Sequence, residues 1–352
     1  MRLSRESLLR EADATGFRPE VLEKVFLLLD LLEAVNAHPE LSGKLALKGG
    51  TALNLFLFDV PRLSVDIDFN YICDLDIISN LGAGSNFGSA SSGGLSAMQA
   101  DRPQVEKAID LTARRLRLLP QTAKKQEHAG RSWIFRYASA LGGESNLKVD
   151  LVYTLRLPLW PPLRRDSRRV GSRQVQGILT LDDHELAAGK LVALLARRTS
   201  RDLFDAHELL LHRALDGNSL ALDTNRLRLA FTVYGAMNQQ DWRKVKVEDI
   251  SPATRDLDTY LRPLLRVDGR SSTTLPGWEK RLVEEVREAL SVVLPLQKSE
   301  LTFLDRLLED GEIEPELLTQ DKMLAGVIRN HPALLWKAQN VRQHKPEHKP
   351  GR

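Results

Sequence analysis

Apolar side chains recur at helical spacing near the N-terminus. Leu22, Val25, Phe26, Leu29 and Leu32 lie three or four residues apart, which predicts helix within residues 1–41. The pattern then shortens. Leu45 to Leu47 is a brief apolar run ending in Lys48-Gly49-Gly50-Thr51, and the paired glycines predict a sharp turn from a strand into a short apolar helix over 51–58. Residues 65–70 alternate strictly: Val65, Ile67 and Phe69 point one way, Asp66, Asp68 and Asn70 the other. Leu147, Val149, Leu151 and Tyr153 repeat the pattern around Lys148 and Asp150, and 133–139 and 174–181 are further strand candidates.

Helical spacing returns over 103–119, with Ala108, Ile109, Thr112 and Leu116 on one side. Beyond Asp182 nearly everything carries a helical period: 183–198, 201–216, 226–238, 254–265, 277–293, 297–309 and 321–330. Residues 82–97 are rich in Gly, Ser and Ala and predict a flexible inserted loop. From Gln339 the chain is basic, with His and Pro, and is expected to be disordered. The expected fold class is α+β: a mixed-sheet core over 1–180 with helices, a helical C-terminal lobe over 181–338, and a basic tail over 339–352.

Composition adds limits. Of 352 residues, 42% are hydrophobic, enough for a sizeable core, and 50 Lys and Arg against 47 Asp and Glu leave a net charge of only +3, which does not mark a nucleic-acid binder. No apolar run reaches the roughly 18 residues of a membrane span, so no membrane partner is expected. The N-terminus has no apolar signal core, and the single cysteine, Cys73, excludes an internal disulfide framework, so a cytoplasmic protein is expected.

The chemistry concentrates in Gly49-Gly50-Thr51 followed by Asp66-x-Asp68. Two carboxylates at i and i+2 share one face of a strand, close enough to hold Mg²⁺, or Mn²⁺, against phosphate oxygens. The glycines allow backbone close to a triphosphate, and the Thr51 hydroxyl and the helix start add donors for it. Lys48 and Ser64 flank these motifs and join Gly49, Gly50 and Thr51 as nucleotide-binding candidates. Asp150, on the polar face of its own strand, is a third acid, as metal ligand or general base. A solvated sheet face would show the same pattern, but Asp is a poor strand former. Lys148 could also simply pair with Asp150. Lys190 stands among Leu186, Ala187, Ala193 and Leu194, so it either snorkels or reaches a nucleotide phosphate. Asp182 and Glu185 have the spacing of a capping box. Asp202 and Asp205 share a helical face, and Arg198 and Arg201 stand at the spacing that would pair with them. Two basic runs, Arg164, Arg165, Arg168, Arg169 and Arg173, and Arg114, Arg115, Arg117, Lys124 and Lys125, are either solvated surface or phosphate contacts.

Lys48-Gly49-Gly50-Thr51-Ala52-Leu53 and Arg62-Leu63-Ser64-Val65-Asp66-Ile67-Asp68-Phe69 resemble the AbiEii/AbiGii toxin family of the DNA polymerase beta-like nucleotidyltransferase superfamily. The resemblance continues through Leu147 to Asp150, Glu185 to Leu191, Arg201 to Asp205 and Leu301 to Val341. It implies a nucleotidyltransferase core with a helical lobe, and a toxin that transfers nucleotides from an NTP to RNA 3′ ends such as those of tRNA. It also implies an AbiEi-like antitoxin as partner and, in some members, phage defence by abortive infection. Carried to this chain, Asp66 and Asp68 are the metal-binding pair, with Asp150 the superfamily's less secure third acid. Lys190 and Asp202 match the later motifs and join Asp66 and Asp150 as catalytic candidates, and Asp205 also matches. The superfamily's usual Gly-Ser is here Gly50-Thr51, which keeps a hydroxyl.

Overall fold

A computed structural model describes residues 4–72, 87–121, 129–211, 222–251, 256–267 and 277–344. Helix α1 (Arg5–Thr15) begins at a Ser4 cap and stops at left-handed Gly16. Helix α2 (Pro19–Ala37) opens on a proline, whose fixed φ suits a first helical position, and buries the Leu22, Val25, Phe26, Leu29 and Leu32 stripe. Strand β1 (Leu45–Lys48) runs directly into the short helix α3 (Gly49–Ala52) and a π-turn over Leu53–Leu57. Strand β2 (Asp66–Tyr71) follows.

Helix α4 (Phe87–Arg115) is longer at its N-terminal end than the spacing over 103–119 indicates, and it takes in Pro103. It therefore begins inside the Gly/Ser tract expected to be a loop, while residues 82–86 and Cys73 lie outside the described residues. Gly93 and Gly94 each disfavour helix by only about 1 kcal/mol. Buried Met98, Val105 and Ile109 anchor the segment that propagates through them.

The remaining strands are β3 (Leu119–Pro120), β4 (Gly130–Ala138), β5 (Glu144–Val152), β6 (Leu163–Arg165) and β7 (Ile178–Thr180). Strand β7 is shorter than the 174–181 expectation because Gln174 and Val175 instead bind Ser167 in a local loop. The described strands form one mixed sheet in the order β3-β4-β5-β2-β1-β7-β6. Pairs β2/β5 and β1/β7 are parallel, while β1/β2, β4/β5, β3/β4 and β6/β7 are antiparallel. Strict alternation gives the sheet two characters. Ile67, Phe69, Trp133, Phe135, Tyr137, Leu147, Val149 and Leu151 are buried on one face, on the side where α2 packs against α4. The other face carries the acids.

Helices α5 (Asp183–Arg197), α6 (Ser200–Leu210), α7 (Thr224–Ala236), α8 (Trp278–Ala289), α9 (Lys298–Asp305), α10 (Lys322–Arg329) and α11 (Pro332–His344) follow. Within the expected 254–265 helix, the described residues form a π-turn over Leu257–Leu261 and a 3₁₀ turn over Arg262–Leu264. Helix α11 corrects the expected tail. Residues 339–344 are helical because Leu334 and Ala338 are buried, and Arg342 and Lys337 reach the carbonyls of Gly311 and Asn238. Residues 345–352 lie outside the described part. Among the described residues, no helix is long and apolar enough to cross a membrane.

Candidate active site

Strand pairing assembles the acids. Parallel β5 places Lys148 beside Asp66 and Asp150 beside Asp68, and antiparallel β1 places Lys48 beside Asp68. Residues in register on neighbouring strands project from the same face. Three carboxylates and two lysines thus crowd one patch, each acid partly solvent-exposed. Each acid already faces a cation. Lys148 Nζ lies 2.5 Å from Asp150 Oδ2, Arg201 Nη1 lies 3.6 Å from Asp66 Oδ2, and the Lys48 charge acts on Asp68. Burial pushes the Asp68 carboxyl above its ordinary value, Lys48 opposes this, and Asp150 and Asp66 add to it. Burial lowers Lys48, against the pull of Asp68 and Asp150. Burial also works against the Lys148 ammonium, but Asp150 holds it above the usual lysine value.

The turn after β1 is shaped by this patch. Gly49 has φ +70, and a Cβ there would sit 2.4 Å from Asp68 Oδ2, so any other residue would strain the backbone and displace the Asp68 carboxylate. A Cβ on Gly50 would lie 2.9 Å from the Arg62 guanidinium and 3.0 Å from Ser64 Oγ, which places Ser64, itself buried, against the turn. Thr51 departs from the sequence expectation. It is fully buried, and its hydroxyl donates to the Asp66 carbonyl at 2.5 Å. That hydrogen is spent on holding β2 to the turn and is not available to a triphosphate.

A second cluster comes from the helices. Lys190, on α5, is buried, so it does not snorkel; its Nζ lies 2.9 Å from Asp202 Oδ1 and 2.8 Å from Asp205 Oδ2, both on α6. Arg62 grips Asp205 with two bonds, Nε to Oδ1 at 2.7 Å and Nη2 to Oδ2 at 2.6 Å. Asn54 donates to both Asp205 Oδ1, at 3.0 Å, and the Gly50 carbonyl, at 2.9 Å. A buried path therefore joins Lys190 through Asp205 and Asn54 to the glycine turn. Burial works against the charge on Asp205, but Arg62 and Lys190 hold its carboxyl well below the usual range. Asp202 is lowered in the same way by Lys190 and Arg197, with Thr199 donating to it.

Arg62 and Asn54 were not among the sequence candidates. The available signal was Asn54 as a polar residue inside an apolar run and Arg62 as the first residue of the stretch that carries the resemblance, with no spacing to say what either meets. The i,i+4 pairs open to Asp202 and Asp205 do not form. Arg198 is the left-handed cap that ends α5, so the helical spacing to Asp202 is broken, and it faces Asp249 at 3.7 Å. Asp205 is buried and filled by Arg62 and Lys190, and Arg201 turns to Asp66. The capping box is also absent. Asp182 caps α5 through the His184 N–H, while Glu185 accepts from the Leu159 and Trp160 N–H groups and the Tyr234 hydroxyl. Burial pushes the Glu185 carboxyl up to about 7.

The first basic run is largely committed within the fold. Arg164 binds the Gly177 carbonyl, Arg165 pairs with Asp183, Arg168 binds the Phe58 carbonyl, Arg169 binds Gln174 and Arg173 pairs with Asp30. Arg115 and Arg117 of the second run line a cleft of about 390 Å³ together with Arg173, Glu23 and Asp30, and this cleft shares no lining residue with the acid patch. Lys124 and Lys125 lie outside the described residues.

Among the described residues no group of three or more His, Cys, Asp or Glu side chains stands placed to hold a metal ion. The donor chemistry of Asp66, Asp68 and Asp150 nevertheless fits a hard divalent cation: carboxylate oxygens on one face of the sheet, with burial first, and then the charges of Asp150 and Asp66, pushing Asp68 up.

A family model described as "Nucleotidyl transferase AbiEii toxin, Type IV TA system" matches residues 30–291. Among solved structures, MenT4, a nucleotidyltransferase toxin from Mycobacterium tuberculosis H37Rv, is similar at a TM-score of 0.59 and 18% identity, covering 95% of this chain and 99% of that one. No curated protein sequence matches.

Proposed function

The chain belongs to the AbiEii nucleotidyltransferase toxin family of type IV toxin–antitoxin systems, and from that premise we propose that it transfers a nucleoside monophosphate from an NTP to an RNA 3′ end, with tRNA as the acceptor. Blocked tRNA would stop translation. The antitoxin partner that a type IV module implies is, on this reading, AbiEi-like, and the module acts in abortive infection. The observation that carries the proposal is the register of Asp68 with Asp150 beside Asp66 on one sheet face, with the Gly49-Gly50 turn packed directly against Asp68, Arg62 and Ser64.

The proposed roles follow from placement. The triphosphate lies over the Gly49-Gly50 turn, with Lys48 and Ser64 at its edges. Asp66, Asp68 and Asp150 would hold Mg²⁺ or Mn²⁺, which when bound offsets phosphate charge. Lys190 has two of its three donors on Asp202 and Asp205 and can direct the third at a phosphate. Asp202, with Thr199 and Arg197, fixes the ammonium in place. The acceptor hydroxyl attacks the α-phosphorus and the bond to the bridging β-phosphate oxygen breaks. Asp150 takes the hydroxyl proton, and pyrophosphate leaves. Little covalent chemistry is required beyond positioning and charge stabilisation.

The test uses one tRNA in two forms, intact and with its 3′-terminal ribose opened by periodate. Label from α-³²P-NTP on the intact form alone supports 3′-end transfer. Equal labelling of both would refute the 3′ acceptor, and label on protein would transfer the proposal to a protein hydroxyl.

A further inference from the structure

The three acids of the patch face three cations, and the cations differ in kind. Lys48 and Lys148 stand on β1 and β5, in the same rigid sheet as Asp68 and Asp150. Arg201 comes from the first turn of α6, outside the sheet. Its contact with Asp66 is 3.6 Å, beyond hydrogen-bond range, and both side chains are more than a third exposed. Such a contact is weak and readily exchanged. The backbone on either side of Arg201 is fixed. The Ser200 N–H donates to Asp256 Oδ2 at 2.5 Å and the Ser200 hydroxyl donates to the Asp256 carbonyl at 3.1 Å. Asp202 is held by Lys190, Arg197 and Thr199. The side chain thus swings from an anchored base.

We propose that Arg201 is a donor-binding residue that neutralises Asp66 when no nucleotide is present and exchanges that carboxylate for the triphosphate of the NTP. The inference rests on the nucleotidyl-transfer reading above. A guanidinium presents paired donors that match two phosphate oxygens, which an ammonium cannot do. A carboxylate that ligates a divalent cation gains from losing a competing positive charge. Arg201 therefore acts in opposite directions on the two ligands: it opposes the cation alone and favours the nucleotide.

The experiment measures Mn²⁺ binding without nucleotide by the electron paramagnetic resonance of free Mn²⁺. It also measures binding of the α,β-methylene analogues of the four NTPs, with Mn²⁺ present, by equilibrium dialysis. Proteins are wild type, Arg201→Met, Arg201→Lys and Arg198→Gln, at physiological salt. Arg201→Met should bind Mn²⁺ about threefold more tightly, the scale of a half-exposed pair, and the preferred analogue about tenfold more weakly, the scale of one charge-assisted bond. Arg201→Lys should keep wild-type Mn²⁺ affinity and still lose analogue affinity. Arg198→Gln removes the same charge three residues earlier, at the end of α5, where it meets Asp249 rather than an acid of the patch, and should change neither. A general folding defect would weaken both ligands together. Arg201→Met with unchanged or weaker Mn²⁺ binding, or unchanged analogue binding, overturns the role of Arg201 alone. Wild-type protein that binds Mn²⁺ but none of the analogues overturns the nucleotidyl-transfer reading with it.

Discussion

Replacing Gly49 by alanine isolates the tightest contact between the turn and the acids. The new Cβ would lie 2.4 Å from Asp68 Oδ2, whereas nonbonded heavy atoms settle near 3.5 Å, so the carboxylate must retreat by about 1 Å. A misplacement of about 1 Å at a reacting centre lowers kcat/KM by roughly 10²-fold. The substitution also forces alanine to a φ near +70, which destabilises by about 1–2 kcal/mol whatever the surroundings. Gly43 separates the two effects. It has φ +79, and a Cβ there meets nothing within 4 Å. Both Gly43→Ala and Gly49→Ala should lower the urea midpoint by similar amounts. Only Gly49→Ala should lose label transfer from NTP to tRNA. The reasoning is refuted if Gly49→Ala keeps kcat/KM within about twofold of wild type, or if Gly43→Ala loses activity as severely.

Arg62→Met strands a fully buried Asp205 with only Lys190 and Asn54, and unpairing a buried charge costs about 3–5 kcal/mol; the partners that remain place the expectation at the lower end. A urea midpoint shift equivalent to less than about 1 kcal/mol would contradict that burden on Asp205. His331 predicts a pH effect in the helical lobe. Its Nδ1 accepts the Ala333 N–H at the start of α11, and burial, with Arg156 adding, pushes its pKa down to about 3. Because the unfolded chain takes up the proton near 6.5, this contribution is complete above pH 6.5 and is lost as pH falls toward 3. It amounts to about 2 kcal/mol between pH 6.5 and 5. Stability of His331→Asn, measured by urea unfolding across that range, should fall less steeply than wild type; parallel curves would show that His331 does not titrate as argued.

What the chain disclosed in advance is local. The alternation over 65–70 and 147–153 could be read because a two-residue period with one buried face needs no knowledge of neighbours. The glycine pair was legible as a turn for the same reason. Partners were not legible. Thr51 offered a hydroxyl, and only the close return of β2 to the turn commits that hydroxyl to the Asp66 carbonyl. Lys190 could be placed on an apolar stripe, yet its two carboxylates lie on the next helix, and helical spacing says nothing about how two successive helices pack. Arg62 bridges 143 residues to Asp205, a separation that carries no periodic signal. Composition misled at 87–97 and 339–344, where anchoring by buried neighbours outweighs poor intrinsic propensity.

Whether Asp66 lies at the chemical centre is tested by transfer from each of the four α-³²P-labelled NTPs to total tRNA in the presence of Mg²⁺, with wild type beside Asp66→Ala. Label should appear on tRNA from one or more NTPs with the wild-type protein, and none above background with Asp66→Ala. Undiminished labelling by Asp66→Ala would contradict the placement of the chemistry on this sheet face.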